Sequence, residues 1–590
     1  MERLSNYLKP ESINSLNGLL KNIIDFTNAN SIISDICGIH DFFLNAIDYS
    51  DFLDLLIAPK SRVQDAFRRE FGDFQTPVSL AEQICFFLYE NNVHPEFIIE
   101  PTFGKGSFIL SSLKFFDQVK EIIGIEIYED YLWHTKFKIL EYFLEHPYNH
   151  KPGIKLIKAD VFKYELNQLS NNLSNSVLVI GNPPWVTNAE LSTLSSHNLP
   201  QKSNFKNYKG IDAITGKGNF DIGEYITLLM LKQFSHCSGN IGFLLKNSVI
   251  KNIVFDLKEN NYRISNIKSY AIEAKKYFNA AVDASLFTAS FNADTTSYTC
   301  HNFNFKNPAI EISRFGWLED KFIANLNLYE NNSKYDSLSP FEWRQGVKHD
   351  SAKVFELTKI DGKLYNGFHE EVDLEEGLIF GLIKSSDLKN VIIRGSRKCV
   401  IITQKVIGQD TSYISSDYPR LYRYLKSKED IIDLRKSSIY KNKPPFSIFG
   451  IGDYSFKPFK IAISGLYKKP SFSLLLPVNN KPLMADDTCY FLGFDLLSDA
   501  LFTLAILNES HVINLLKAIS FQDAKRPFTK DILMRIAIDK IAIDLGFDYF
   551  AEKIKSLNSQ FSNEISPSTW QSYVASFSKP TRSKKQLSFA

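Results

Sequence analysis

Asn182-Pro183-Pro184-Trp185 follows a run of five apolar or small residues, Val177 to Gly181. Two consecutive prolines fix φ and offer no N–H, so a strand that reaches them must end. The turn leaves two acceptors close together, the Asn182 side-chain oxygen and the Pro183 carbonyl, with a flat indole beside them. That set suits an exocyclic amino group on a planar ring, which has two N–H bonds to place and a face to stack. Taken alone, the same four residues also describe a proline turn that caps a core strand and packs its Trp.

Three more strand ends upstream carry polar chemistry. Phe97 to Phe108 reads Phe-Ile-Ile-Glu-Pro-Thr-Phe-Gly-Lys-Gly-Ser-Phe, a strand, a glycine turn and then a helix through Leu113. Gly104 and Gly106 allow backbone to approach a ligand, and the helix start presents free N–H groups. A second strand, Ile122 to Ile127, carries Glu126 near its end, where a carboxylate can accept the hydroxyls of a ribose. Glu100 precedes the glycine turn and would repel a pyrophosphate. A cationic ligand fits better, and S-adenosylmethionine has both a sulfonium and an ammonium. A third strand, Ile154 to Ala159, runs into Asp160, placed for an adenine amino group. The Asn-Pro-Pro-Trp strand is the fourth. With helices such as Asp130 to Phe143 between them, these strands predict a doubly wound parallel sheet with its ligands at the strands' carboxyl ends.

Phe74-Gln75-Thr76-Pro77, Glu100-Pro101-Thr102-Phe103-Gly104-Lys105-Gly106-Ser107-Phe108, Glu126, Asp160 and Asn182-Pro183-Pro184-Trp185 resemble, in this order, the motifs of amino-methylating DNA methyltransferases of the gamma class. In that class the catalytic domain precedes the target recognition domain. The likeness covers about residues 68 to 190 and continues more loosely to about 295. It implies that Thr76, Glu100, Pro101, Gly104, Gly106, Glu126, Asp160 and Asn182 line an S-adenosylmethionine site. It also implies that Asn182, Pro183, Pro184 and Trp185 hold a flipped base, with Phe278, or failing that Tyr277, on its far face; an ordinary core aromatic is an equal reading of that position. Thr102 stands where the family has alanine. Trp185 stands where it has tyrosine or phenylalanine, which keeps the stacking and blurs adenine against cytosine.

The elements that must hold these residues follow from the rest of the chain. Residues 1 to about 65 show helical spacing at Ile13, Leu16, Leu20, Ile23 and Ile24, and read as a docking or lid segment. A break is expected at Arg68–Pro77, then a helix from Val78 to Tyr89. Thr187 to Phe220 is polar and reads as a long loop beside the site. Helix, strand, helix and strand follow at Asp221–Phe234, Asn240–Lys246, from Asn247, and Ser285–Phe291.

The C-terminal half differs in charge. Gly381 to Pro470 holds 18 Lys and Arg against 7 Asp and Glu, a net of +11, whereas the whole chain is only +2. Charge this segregated points to a polyanion. Arg435, Lys436, Tyr440, Lys441, Lys443 and Tyr454 interleave cations, aromatics and turn formers, as DNA-gripping loops do. A solvated basic face is the plainer account of such a run. Arg344 to Asp350 is a second polar cluster, and Lys525 to Lys530 opens a helical end with a polar tail.

Composition narrows the class. At 590 residues, 44% hydrophobic and 23% charged, the chain can bury several cores. Six scattered cysteines with no CxxC pair predict reduced thiols, no zinc site and no disulfide scaffold. No apolar stretch is long enough to span a bilayer and no leader is apparent, so a cytoplasmic protein is expected. Asp350 and Lys353 lack the preceding acid of a nuclease site, so any cleavage is expected of a separately encoded restriction endonuclease. The domain expectation is an N-terminal helical segment (1–65), a Rossmann-like methyltransferase domain (66–300), a C-terminal α+β target recognition domain (301–520) and a helical end (521–590). The expected activity is S-adenosylmethionine-dependent methylation of adenine N6 in double-stranded DNA by base flipping, with no metal. The same turn serves cytosine, ribosomal guanine or glutamine acceptors, and an inactive DNA-binding component is the rival from another class.

Overall fold

The computed structural model describes residues 7–57, 74–170, 176–186, 221–260, 262–279, 282–522 and 524–578. The first part of the expected break (68–73), the polar stretch 187–220 and the tail from 579 lie outside them. The chain forms two compact units, Met1–Phe322 and Ile323–Ala590.

The first unit opens with three helices, α1 (Pro10–Leu20), α2 (Phe26–Cys37) and α3 (Ala46–Ile57), and continues with α4 (Val78–Glu90). Strand and helix then alternate: β1 (Phe97–Glu100), α5 (Ser107–Phe115), β2 (Glu121–Glu126), α6 (Glu129–Glu145), β3 (Gly153–Lys158), the short α7 (Asn167–Ser170) and β4 (Val177–Gly181). After the stretch outside the described residues come α8 (Ile222–Phe234), β5 (Gly239–Lys246), α9 (Asn247–Asn260), β6 (Ile264–Ile272), α10 (Ala274–Phe278), β7 (Ala284–Phe291), β8 (Thr299–Asn304) and β9 (Asn307–Leu318).

These strands line up as β9-β8-β6-β7-β5-β4-β1-β2-β3. From β3 to β5 all neighbours are parallel, and β7 enters antiparallel between β5 and β6. All five residues of β4 are buried, as expected where helices cover both faces of a parallel sheet. The chain winds outward from β1 to β3 and returns to β4 on the other side of β1. The order therefore reverses between β1 and β4, the place where open α/β sheets leave a crevice for a ligand. This is the doubly wound, Rossmann-like fold expected of an S-adenosylmethionine-dependent methyltransferase. Strands β8 and β9 fall within this unit, about twenty residues past the expected boundary at 300, because β8 pairs in parallel with β6 and extends the sheet.

The N-terminal helices dock on the opposite edge. Ile39 bridges to Ile154 of β3, with His40 N–H donating to the Ile154 carbonyl and Ile154 N–H to that of Gly38, which covers a bare strand edge. Lys136 of α6 is fully buried; its Nζ donates to the Phe42 carbonyl at 2.6 Å and lies over the Trp133 ring. Burial lowers its pKa to about 8.

The second unit is α+β. Phe459–Ser464 is central to one sheet, antiparallel to both Phe472–Leu475 and Cys489–Phe494. A second sheet centres on Lys398–Ile401, antiparallel to Glu356–Ile360 and Ile379–Ile383. The helix Leu497–Leu507 is apolar almost all round and so is buried; it packs with Ile538–Leu557 and Pro567–Ser576 around one core. The C-terminal helices thus share a core with the strands of this unit. Among the described residues no helix is long and apolar enough to cross a membrane.

Candidate functional site

The crevice at the β1/β4 reversal holds a cavity of about 1120 Å³, its open mouth included, that brings together Thr76, Glu100, Pro101, Gly104, Glu126, Asp160, Asn182, Pro183 and Pro184. All but Thr76, which precedes α4, reach it from the carboxyl end of a strand or the turn that follows. Gly104 (φ +51°) and Gly106 (φ +72°) have the left-handed backbone that bends the chain from β1 into α5. Both turns are also crowded: a Cβ on Gly104 would lie 2.6 Å from Gln75 Oε1, and one on Gly106 2.4 Å from Thr135 Cγ2. Gly106 supports the site from outside the cavity lining as the residue before α5.

Glu100 is 2% exposed, and its Oε2 is buried without a hydrogen-bond partner. Burial first, then the nearby Glu126 carboxylate, push its pKa well above the ordinary carboxylate value, against a bond from the Ile109 N–H. A buried acid with an unsatisfied oxygen calls for a cation or a donor. Glu126 is tied more fully: Oε1 accepts the N–H groups of Ile127 and Tyr128 at 2.9 and 3.0 Å, and Oε2 that of Gly104 at 2.8 Å. At least three of a carboxylate's roughly four acceptor positions are therefore taken, so gripping both hydroxyls of a ribose requires existing contacts of Glu126 to give way. Asp160 Oδ1 accepts the Phe162 N–H at 3.0 Å, and Phe162 itself lines the cavity.

The motif 74–77 ties the cofactor side to the turn after β4. Lys105 N–H donates to Gln75 Oε1 at 2.8 Å, and Ser107 Oγ to the Thr76 carbonyl at 2.7 Å. Asn182 Nδ2 donates to the Phe74 carbonyl at 2.9 Å. A carbonyl only accepts, so this bond fixes which end of the amide faces Phe74. It leaves Asn182 Oδ1 buried and without a partner, on a residue that lines the cavity. Ile222 N–H donates to the Val186 carbonyl at 2.9 Å, and Asp221 both caps α8 through the Gly223 N–H and pairs with Lys246.

Trp185 and Phe278 stand outside the cavity lining. Trp185 is 6% exposed and donates from Nε1 to the Leu244 carbonyl at 3.2 Å. Its ring lies 5.0 Å from that of Phe278 and 5.6 Å from that of Phe74, centroid to centroid. Gln75, Tyr131, Phe162 and Ile222 line the cavity without having been singled out from sequence. Gln75 and Phe162 sat inside segments with a recognisable pattern, whereas Tyr131 and Ile222 gave no signal beyond helix periodicity.

In the second unit Lys436, Lys441 and Lys443 are exposed. Arg435 instead braces its own loop. Its Nε donates to the Ile432 carbonyl and its Nη1 to that of Ser447, while the guanidinium carbon sits 3.8 Å from the Tyr440 ring centroid. Tyr440 Oη reaches the Lys348 carbonyl, and Arg344 covers the Tyr454 ring.

The chain is 39% identical over 483 residues to the type II methyltransferase M.NspV of Nostoc sp., a match spanning 80% of this chain and 97% of that protein. Its fold resembles that of the type IIL restriction-modification enzyme MmeI, solved in complex with DNA, with a TM-score of 0.51 and 12% identity over 97% of this chain and 90% of that one. No family model matches the chain.

Proposed function

The chain belongs to the type II methyltransferases, and from that premise we propose that it methylates the N6 amino group of adenine within a specific sequence of duplex DNA, with S-adenosylmethionine as donor. The observation that carries this reading is the Asn182 amide, whose Nδ2 is held by Phe74 and whose buried Oδ1 has no partner. An amino hydrogen of the target satisfies that oxygen, which aligns the nitrogen for transfer by positioning and electrostatics. When bound, the cofactor supplies an electrophilic methyl on a sulfonium.

The residues present fit such a cofactor. Glu100 offers an unsatisfied buried carboxyl to a cation, Gly104 brings backbone without a side chain to the cavity wall, and Glu126 and Asp160 stand on the same cavity as acceptors. Trp185 and Phe278 bear on capture of the base. A planar base between two rings needs about 7 Å, two contacts of roughly 3.5 Å, and their centroids are 5.0 Å apart. The two rings also meet edge to face, inclined at 62°, so stacking a flipped base on both requires them to part and to turn toward parallel. The second unit, with its exposed lysines, supports duplex recognition, and a separately encoded endonuclease completes the restriction-modification reading.

Incubating the protein with methyl-labelled S-adenosylmethionine and either duplex DNA, RNA or cell protein tests this. Label in the DNA alone is expected; label in RNA or protein, or in none, would overturn it.

A further inference from the structure

Between the strand Lys398–Ile401 and the helix Tyr413–Asp417 the second unit projects a short turn, Gln404-Lys405-Val406-Ile407-Gly408-Gln409. Its stem is held by polar side chains that are themselves buried. Gln404, 1% exposed, donates from Nε2 to the Gln409 carbonyl at 2.5 Å and accepts the Ile448 N–H at Oε1 at 3.0 Å. Gln409 Oε1 accepts the Lys405 N–H at 2.7 Å, and Gln409 N–H donates to the Val406 carbonyl at 3.2 Å. Thr403 and Thr411 anchor the two feet, donating from Oγ1 to the carbonyls of Phe446 and Pro445 at 2.8 and 2.7 Å.

At the tip of this braced turn Val406 and Ile407 are 47% and 51% exposed. Gly408 (φ +81°) has no atom within 4 Å of where a Cβ would stand, so the outer side of the tip is open. Lone exposed aliphatics need no explanation; two adjacent ones carried on six hydrogen bonds from buried or half-buried groups form a rigid presentation. Three exposed lysines lie on the turn and on the segment that ties it. Lys405 is on the stem, and Lys441 and Lys443 are exposed on the segment leading into Pro445 and Phe446, where the stem is tied. Among the described residues none of these three pairs with a carboxylate.

Aliphatic side chains can make no hydrogen-bonded readout of a base edge. The feature they do read in the major groove is the C5 methyl of thymine, while neighbouring lysines meet phosphates. We propose that Val406 and Ile407 form a specificity finger that enters the major groove and recognises a thymine methyl, with Lys405, Lys441 and Lys443 on the flanking phosphates. This rests on the reading of the chain as a DNA methyltransferase.

The test uses the full chain and the double variant Val406→Ser/Ile407→Ser on the enzyme's own recognition duplex. Because both residues are exposed, cofactor affinity and thermal stability are expected to stay as in wild type. kcat/KM should fall by about 10-fold or more, the scale set by removing a methyl group from an apolar recognition surface, with the salt dependence of binding unchanged. Each thymine of the site is then replaced in turn by uracil, which lacks only the methyl. Wild type should lose activity at one position where the variant loses nothing further. A variant equal to wild type, a uracil scan that affects both proteins alike, or a flattened salt slope would each overturn the finger. Failure of wild type to methylate any duplex would instead overturn the DNA reading, so the two are distinguishable.

Discussion

Glu100 has the most perturbed environment of the site. Its carboxyl is buried beside the Glu126 carboxylate, and both effects favour the neutral form. Because its pKa in the folded protein is raised above the ordinary 4.5, its contribution to stability is fully present below that ordinary value and is lost as pH rises through the folded one. The cofactor-free wild type should therefore lose thermal stability relative to Glu100→Gln as pH climbs from about 5 to 8, since only wild type must ionise a buried acid. Affinity for S-adenosylmethionine should move the other way: rising with pH in wild type as the carboxylate forms, and flat and weaker in Glu100→Gln. Melting curves and calorimetric titrations across that range check both, and a stability difference independent of pH would contradict the assignment. Asn182 shows a different kind of constraint. Its residue type was legible in the sequence because Asn-Pro-Pro-Trp is a local signal. The direction of its amide was not, since that depends on the carbonyl of Phe74, 108 residues away.

Among the elements, the β1–α5 turn sets the geometry of the cofactor side. Gly106 combines a left-handed φ of 72° with a would-be Cβ only 2.4 Å from Thr135 Cγ2. Gly106→Ala should cost about 1–2 kcal/mol from backbone conformation alone, with the Thr135 clash added, and should weaken cofactor binding by misplacing Gly104. A lowered melting temperature together with reduced S-adenosylmethionine affinity is the expected outcome; unchanged values of both would mean the turn tolerates a side chain. The strands were the most legible part of the fold. Continuous apolar runs ending in an acid, an amide or a glycine gave β1, β2, β4 and β5 within a residue or two, because a buried parallel strand leaves that pattern in one short segment; β3, at the edge, showed instead as Ile and Leu interrupted by Lys. The edge of the sheet was hidden for the opposite reason. Strands β8 and β9 are stabilised by pairing with a distant strand, and exposed residues such as Ile310 and Ile312 give no clear buried face.

For the whole molecule, charge and structure divide the chain in similar ways. The net of +11 between Gly381 and Pro470 falls inside the second unit, and composition alone revealed it. Which cations remain available was not legible, because a guanidinium bound to carbonyls and one facing solvent look alike in sequence. Lys436, Lys441 and Lys443 are exposed, whereas Arg435 braces its loop. Neutralising the three lysines together should weaken duplex binding and flatten its salt slope by up to about 0.9 for each phosphate that is no longer neutralised. Arg435→Ala should chiefly lower stability, by unstacking Tyr440 and freeing three carbonyls; binding isotherms at several salt concentrations and a melting curve separate these effects. The central claim, that Asn182 presents an acceptor to an adenine amino group, is tested most directly by the identity of the product. Duplex DNA methylated by the wild type is digested to nucleosides and compared with DNA treated with Asn182→Ala. N6-methyladenine as the sole new base, formed at least about 10²-fold more slowly by the variant, is the predicted result; a methylated cytosine, or undiminished adenine methylation by Asn182→Ala, would contradict it.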